Sequence, residues 1–173
     1  MRLLLVLALV VGCADPYANQ TAVIMTPQIV SARGTHSFAA DRAKVYGATV
    51  GALKALGYDI AYTDEAAGVI KTAPRRVRAE AYSEGSTIGP RSSSSSVMVT
   101  YTRAYAIQLT DDHGQTRVEA TPRLFQNGTD ISERNVWDLN TPSGEYQLWY
   151  QLFREIGSNL GAAVPSPAET AQP

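Results

Sequence analysis

The feature that most constrains the fold is a stretch of strict alternation that leads into a tight turn. Across residues 97–109, large apolar or aromatic residues and Arg103 alternate with mostly small or polar ones. A period of two predicts a β-strand with one buried face. The turn Asp111-Asp112-His113-Gly114 and a second strand over residues 116–125 complete a hairpin, in which Pro122 indicates an edge or a bulge. The chain is therefore expected to contain an antiparallel sheet.

Two segments are predicted to form amphipathic helices. Residues 37–56 repeat apolar or small residues at helical spacing, with Ser37 as a plausible N-cap and Gly57 as a left-handed C-terminal cap. Residues 143–160 are predicted to form the second helix. Its wide apolar stripe comprises Tyr146, Trp149, Tyr150, Phe153, Ile156 and Leu160.

The remaining segments complete a prediction of an α+β fold. Residues 58–62 and 69–72 are predicted to form two strands, while residues 75–96, rich in Ser, Gly and Arg, are interpreted as a long mobile loop. The predicted order of helix, strands and helix gives a two-layer sandwich. In it, an antiparallel sheet of about four strands is covered by two helices. The domain spans residues 37–160, and residues 161–173 are expected to form a disordered tail.

The amino terminus has the features of an export signal. Arg2 precedes nine apolar residues, 3–11, which are too few to span a bilayer and match a signal peptide over residues 1–12. The residues that lead to Cys13 resemble the bacterial lipobox. This resemblance implies that Cys13 carries a diacylglycerol. Residues 13–36 are then a lipidated tether, in which residues 21–29 could hold a short strand that Pro27 confines to an edge. The alternatives are an ordinary secretory signal and a buried segment of a cytosolic protein.

The composition limits the chemistry that this chain can perform. A net charge of −1 provides no basic field for nucleic acid, and a single cysteine allows no internal disulfide. His36 and His113 have no partner at metal-ligand spacing, and the sequence contains no phosphate-binding loop or nucleophile motif. We therefore expect no enzymatic activity, no catalytic residue, no metal and no cofactor.

Two groups of residues are candidates for contact with partners. Arg75, Arg76 and Arg78 lie either in a solvated loop or against anionic headgroups or cell-wall polymer. Tyr146, Trp149 and Tyr150 belong either to the core or to a protein-docking surface. We assign Phe153 and Ile156 to the core, and expect Trp149 to remain partly exposed where the stripe widens.

One stretch resembles a known group of proteins. Residues 53–60, Asp64 and residues 68–72 are similar to a pattern in small proteobacterial envelope lipoproteins, in which a helix ends in Leu-Gly-aromatic and two strands follow. The general arrangement also resembles the lipoprotein subunit of the outer-membrane barrel-assembly machinery. The resemblance implies a fold rather than an activity. It carries over Cys13 as the lipidated residue and no other site.

The functional hypothesis is a membrane-anchored envelope lipoprotein that binds another envelope protein as an accessory or assembly factor. The alternative is a carrier or sensor that holds a small apolar ligand between helix and sheet. In both hypotheses the domain faces the periplasm. The sequence leaves open whether the inner or the outer membrane holds the anchor.

Overall fold

The computed structural model describes residues 22–86, 93–138 and 145–162. Within these ranges the chain forms three helices and nine strands. In chain order they are β1 (Ala22–Ile24), α1 (Pro27–Arg33), β2 (Thr35–Phe38), α2 (Arg42–Ala55), β3 (Ile60–Asp64), β4 (Val69–Thr72), β5 (Arg75–Ser86), β6 (Ser93–Asp112), β7 (Gln115–Gln126), β8 (Thr129–Asp130), β9 (Val136–Asp138) and α3 (Glu145–Asn159).

The strands form one large antiparallel sheet and one small one. The large sheet has seven strands in the order β2-β7-β6-β4-β3, with β5 paired to β6 and β8 paired to β7. Strands β1 and β9 form a separate two-stranded sheet. The prediction of about four strands under two helices is therefore wrong. It missed β5 and the short strands β2, β8 and β9, and β1 was expected only as a possible edge strand.

The largest error concerns residues 75–86 and 93–96, which were interpreted as part of a long mobile loop between strands; residues 87–92 of that loop lie outside the described residues. In the structure, β5 pairs with β6 from Arg75 opposite Arg103 to Ser86 opposite Ser93. Serine and glycine do not prevent this pairing, since the ladder is built by backbone groups. Strand β5 and residues 93–96 of β6 contribute little to the core. Their sequence therefore lacks the apolar alternation that identified the rest of β6.

The first long helix begins later than its sequence predicted. Helix α2 starts at Arg42, and the side chain of Asp41 caps it by accepting a hydrogen bond of 2.9 Å from the backbone N–H of Lys44. Ser37 lies instead in β2, opposite Arg117 of β7. The predicted role of Gly57 is confirmed, because it follows the helix with a φ of +78°.

The main core lies between α2, α3 and one face of the large sheet, which we call the helix-covered face. The predicted alternation of β6 is confirmed, since its buried residues on this face are Val99, Tyr101, Arg103, Tyr105, Ile107 and Leu109. Phe153 and Ile156 are buried as predicted, with 6% and 0% of their surface exposed. None of the helices in the described ranges combines the length and apolar character that crossing a membrane requires.

Candidate binding groove beside strand β7

Trp149, proposed with Tyr146 and Tyr150 as a protein-docking surface, is buried and so is not available to a partner. The Trp149 side chain is only 1% exposed, and its Nε1 donates a hydrogen bond of 2.8 Å to the backbone carbonyl of Ala120. The expectation of partial exposure is wrong because the polar atom of the indole has a partner inside the core. Tyr150 is partly buried, and the Arg154 guanidinium lies 5.6 Å from its ring centre. The side chain of Tyr146 lies outside the described part.

The three arginines of the predicted loop lie on β5. Arg75 donates to the carbonyl of Leu56 and lies 5.4 Å from the ring centre of Tyr58. Arg78 forms an ion pair of 2.8 Å with Glu80 and lies 4.2 Å from the ring centre of Tyr101. Arg76 stands opposite Thr102 in the ladder, next to a register irregularity that separates it from Arg78. All three residues are exposed, and Arg75 and Arg78 each lie against an aromatic ring.

The two histidines lie in different environments. The ring of His36 stacks on Phe153 at 5.5 Å and meets Phe38 edge-on at 4.7 Å. Burial lowers the pKa of His36 below its usual value, so its imidazole is neutral at pH 7. His113 is fully exposed in the β6–β7 turn. Across residues 22–86, 93–138 and 145–162, no cluster of three or more His, Cys, Asp or Glu residues could hold a metal ion.

A groove that the sequence did not predict lies beside β7 and has a volume of about 900 Å³. Its base includes Ala106, Thr121 and Arg123, which alternate with core residues and therefore belong to the outer face of the sheet, opposite α2 and α3. One wall is the first turn of α1, and the other is the turn formed by residues 130–134. The groove thus opens on the face of the sheet opposite α2 and α3, and Val30 in its wall also belongs to the buried core.

The groove exists because the outer edge of β7 has no continuous partner strand. Strand β2 pairs with β7 only as far as Glu119, and β8 pairs from Phe125 onward. Between them, the N–H of Ala120 donates to the carbonyl of Gly34, at 2.7 Å, and the N–H of Leu124 donates to the Ser132 hydroxyl, at 2.9 Å.

Pro122 lies midway between these two donors. Its nitrogen is directed to the same side of the strand and carries no hydrogen. The edge predicted from Pro122 is therefore present, and the β6–β7 register continues through it without a bulge.

A small polar network fixes the second wall of the groove. Asp130 forms an ion pair with Arg123 and accepts hydrogen bonds from the hydroxyl and the N–H of Ser132. The Ser132 hydroxyl is the main cause that lowers the pKa of the Asp130 carboxyl below its usual value, so the carboxyl is ionised at neutral pH. The carbonyl of Ser132 also accepts a hydrogen bond of 3.0 Å from the indole of Trp137. These groups hold the turn in place rather than offering a free acid or base.

The lining of the groove combines apolar surface with charges of both signs. The apolar contributors are Met25, Pro27, Val30, Pro122 and Ile131, and the charged ones are Glu119, Arg123, Asp130, Glu133 and Arg134. An apolar depression with a polar rim is typical of a site that anchors an apolar side chain of a protein partner. Sequence reasoning missed the groove because separate segments assemble it. A proline inside an otherwise regular strand was the only signal available.

Comparisons with known proteins do not assign a family. No family model matches the chain, and no curated protein matches it significantly. A crystal structure of a DUF4468 family protein from Bacteroides ovatus is similar with a TM-score of 0.38 and 14% sequence identity, covering 77% of this chain and 88% of that chain. A likeness at this level carries no argument about activity.

Proposed function

We propose that this protein is a lipid-anchored lipoprotein of the bacterial cell envelope that binds a segment of another envelope protein in the groove beside β7. It acts by binding rather than by catalysis, as an accessory or assembly factor. The observation that carries the proposal is the groove itself, since a preformed apolar depression of about 900 Å³ with a charged rim suits side-chain capture. The anchor rests on Cys13, which follows the apolar run of residues 3–11.

The groove is better suited to a partner than the space between helices and sheet. There, Leu53, Ile107 and Leu152 are almost completely buried among other core side chains. A small apolar ligand at that position would have to displace close-packed side chains, which is costly. The groove needs no such rearrangement, and its apolar lining would lose water when a partner side chain enters.

Site-specific photo-crosslinking in cells that produce the full chain tests the groove. A photoreactive phenylalanine analogue is placed at Ser31, an exposed residue of α1 that lines the groove. The matched control places it at Gln28, which is exposed on the same helix outside the groove lining. We expect one discrete protein adduct from position 31 and none from position 28.

A blocking variant makes this test specific. With the photoreactive residue at Glu133, on the opposite wall, the same adduct should form and should be lost when Ser31→Trp fills the groove. Gln28→Trp should leave it unchanged. Equal adducts from positions 28 and 31, or an adduct from Glu133 that persists in Ser31→Trp, would show that the partner does not occupy the groove.

A further inference from the structure

Strand β5 offers an edge that the sheet does not use. It is 12 residues long, and within the described residues its ladder partner is β6 alone. Strands β4 and β5 follow one another along the same side of β6. The outer edge of β4 is paired with β3, and just after β4 the N–H of Ala73 donates to the carbonyl of Asp59 at 2.8 Å. This cover ends where β5 begins. Long unpaired edges readily accept another strand, so natural proteins usually shorten or cover them.

The far end of the β5–β6 hairpin, a two-stranded ribbon of residues 81–86 and 93–98, also exposes apolar side chains on both faces. Tyr82 and Val97 stand opposite each other on one face, each 49% exposed. Met98 is 63% exposed and lies on the other face, opposite Ala81. A two-stranded ribbon without a covered face is only marginally stable in water. Further pairing at its edge would stabilise it.

The charges along β5 identify the partner. Arg78 and Glu80 lie on the same face of the strand, on either side of Ala79. If a second β5 pairs antiparallel about a two-fold axis at Ala79, Arg78 of each copy lies directly opposite Glu80 of the other. The two pairs, together with the ion pair of 2.8 Å within each chain, form four alternating charges. Cross-strand pairs of opposite charge stabilise a sheet.

Neighbouring registers lack this complementarity. An axis at Arg78 would place the two Arg78 side chains opposite each other, and an axis at Glu80 would do the same with two carboxylates. Like charges directly opposite each other destabilise a strand pair. At the favoured axis, the two side chains that lie directly opposite each other are those of Ala79, which are small and uncharged. Of these three registers, only the one centred on Ala79 places opposite charges across from each other.

We propose that two copies of this chain associate through antiparallel pairing of their β5 strands, centred on Ala79. The two large sheets then become one continuous sheet, and the contact is isologous because each copy contributes the same residues. This inference does not depend on the lipid anchor or on the groove.

Disulfide formation in the full chain with Cys13→Ser, which removes the native thiol, tests the register. Ala79→Cys places one thiol from each copy side by side at the axis, within the Cα separation that a disulfide requires. Mild oxidation should convert most of this variant into a covalent dimer. Ala81→Cys is the matched control, because Ala81 is also exposed but its counterpart in the other copy would lie four residues away along the paired strands. A dimer from Ala81→Cys at an equal or higher yield would overturn the proposal.

Charge reversal gives an independent readout by sedimentation velocity. Arg78→Glu alone and Glu80→Arg alone each place like charges opposite one another, and each should weaken dimerisation by about tenfold or more. The double variant Arg78→Glu/Glu80→Arg restores opposite pairs and should recover the dimer. Circular dichroism checks that each variant is folded. A monomeric parent chain, or single variants that dimerise as well as the parent, would refute the pairing.

Discussion

Replacing Trp149 tests how α3 is held on the sheet. The side chain is 1% exposed, and its Nε1 donates to the carbonyl of Ala120 at 2.8 Å. Removing a large aromatic side chain from a core typically costs about 3–5 kcal/mol, since it removes buried surface and leaves a cavity. We therefore expect Trp149→Ala to lower the free energy of unfolding by about 3–5 kcal/mol. This is a large share of the roughly 5–15 kcal/mol that stabilises a typical domain.

Trp149→Phe separates the hydrogen bond from the packing. Phenylalanine keeps most of the apolar contact but has no donor for the carbonyl of Ala120. The loss of a buried hydrogen-bond partner typically costs about 1–3 kcal/mol, so this variant should lie between the parent and Trp149→Ala. Ser158→Ala, at an exposed position of the same helix, is the control and should change stability by less than about 0.5 kcal/mol.

Urea unfolding followed by far-ultraviolet circular dichroism is the appropriate measurement. The chain has only two tryptophans, so removing one would alter a fluorescence signal for reasons unrelated to stability. If the free energy of unfolding falls with urea concentration at the same slope in all variants, they share the same native and unfolded states. A loss below about 1 kcal/mol for Trp149→Ala would refute the packing of α3 on β7. A loss for Trp149→Phe equal to that of Trp149→Ala would refute the division between packing and hydrogen bonding.

Three further predictions concern other parts of the chain. Cys13→Ser should abolish lipid attachment, and intact-mass analysis of the parent protein showing an unmodified Met1 start would contradict the anchor. Gly68→Ala should destabilise the fold by about 1–3 kcal/mol in urea unfolding, because Gly68 has a φ of +69° and an added Cβ would lie 2.4 Å from the carbonyl oxygen of Leu109. Burial lowers the pKa of His36 below its ordinary value of 6.5, so just below pH 6.5 the unfolded chain binds more protons than the folded one. The contribution of His36 to the free energy of unfolding is therefore retained above pH 6.5 and lost as the pH falls through that value. The urea midpoint of the parent should therefore fall more between pH 7.5 and pH 5 than that of His36→Gln, and equal falls would exclude this role.

The parts of the fold that sequence predicted are those that contribute to the core. The β6–β7 hairpin follows from alternation and from the turn at His113 and Gly114, which both adopt positive φ. Phe153 and Ile156 follow from the helical stripe. In each case the side chains that packing requires are visible in the sequence as a period of two or of 3.6.

The parts that sequence missed depend on backbone pairing or on tertiary neighbours. β5 is held by its ladder with β6, which leaves no apolar signature in its serines and glycines. Ser37 has the residue type of a helix cap, but pairing of β2 with β7 keeps it in a strand. The exposure of Trp149 was misjudged because the carbonyl that accepts its indole proton comes from a strand far away in sequence. Local propensity is a weak guide wherever tertiary pairing decides.

The two proposed contacts are compatible in one assembly. The groove opens at the outer edge of β7, whereas the self-pairing edge belongs to β5, on the other side of β6 in the sheet. A two-fold axis perpendicular to the joined sheets keeps their outer faces on the same side, so both grooves open in one direction. A partner that carries two suitable segments would then bind the second one intramolecularly, which raises the overall affinity without any new contact. For such a partner, pairing through β5 would enhance binding in the groove rather than compete with it.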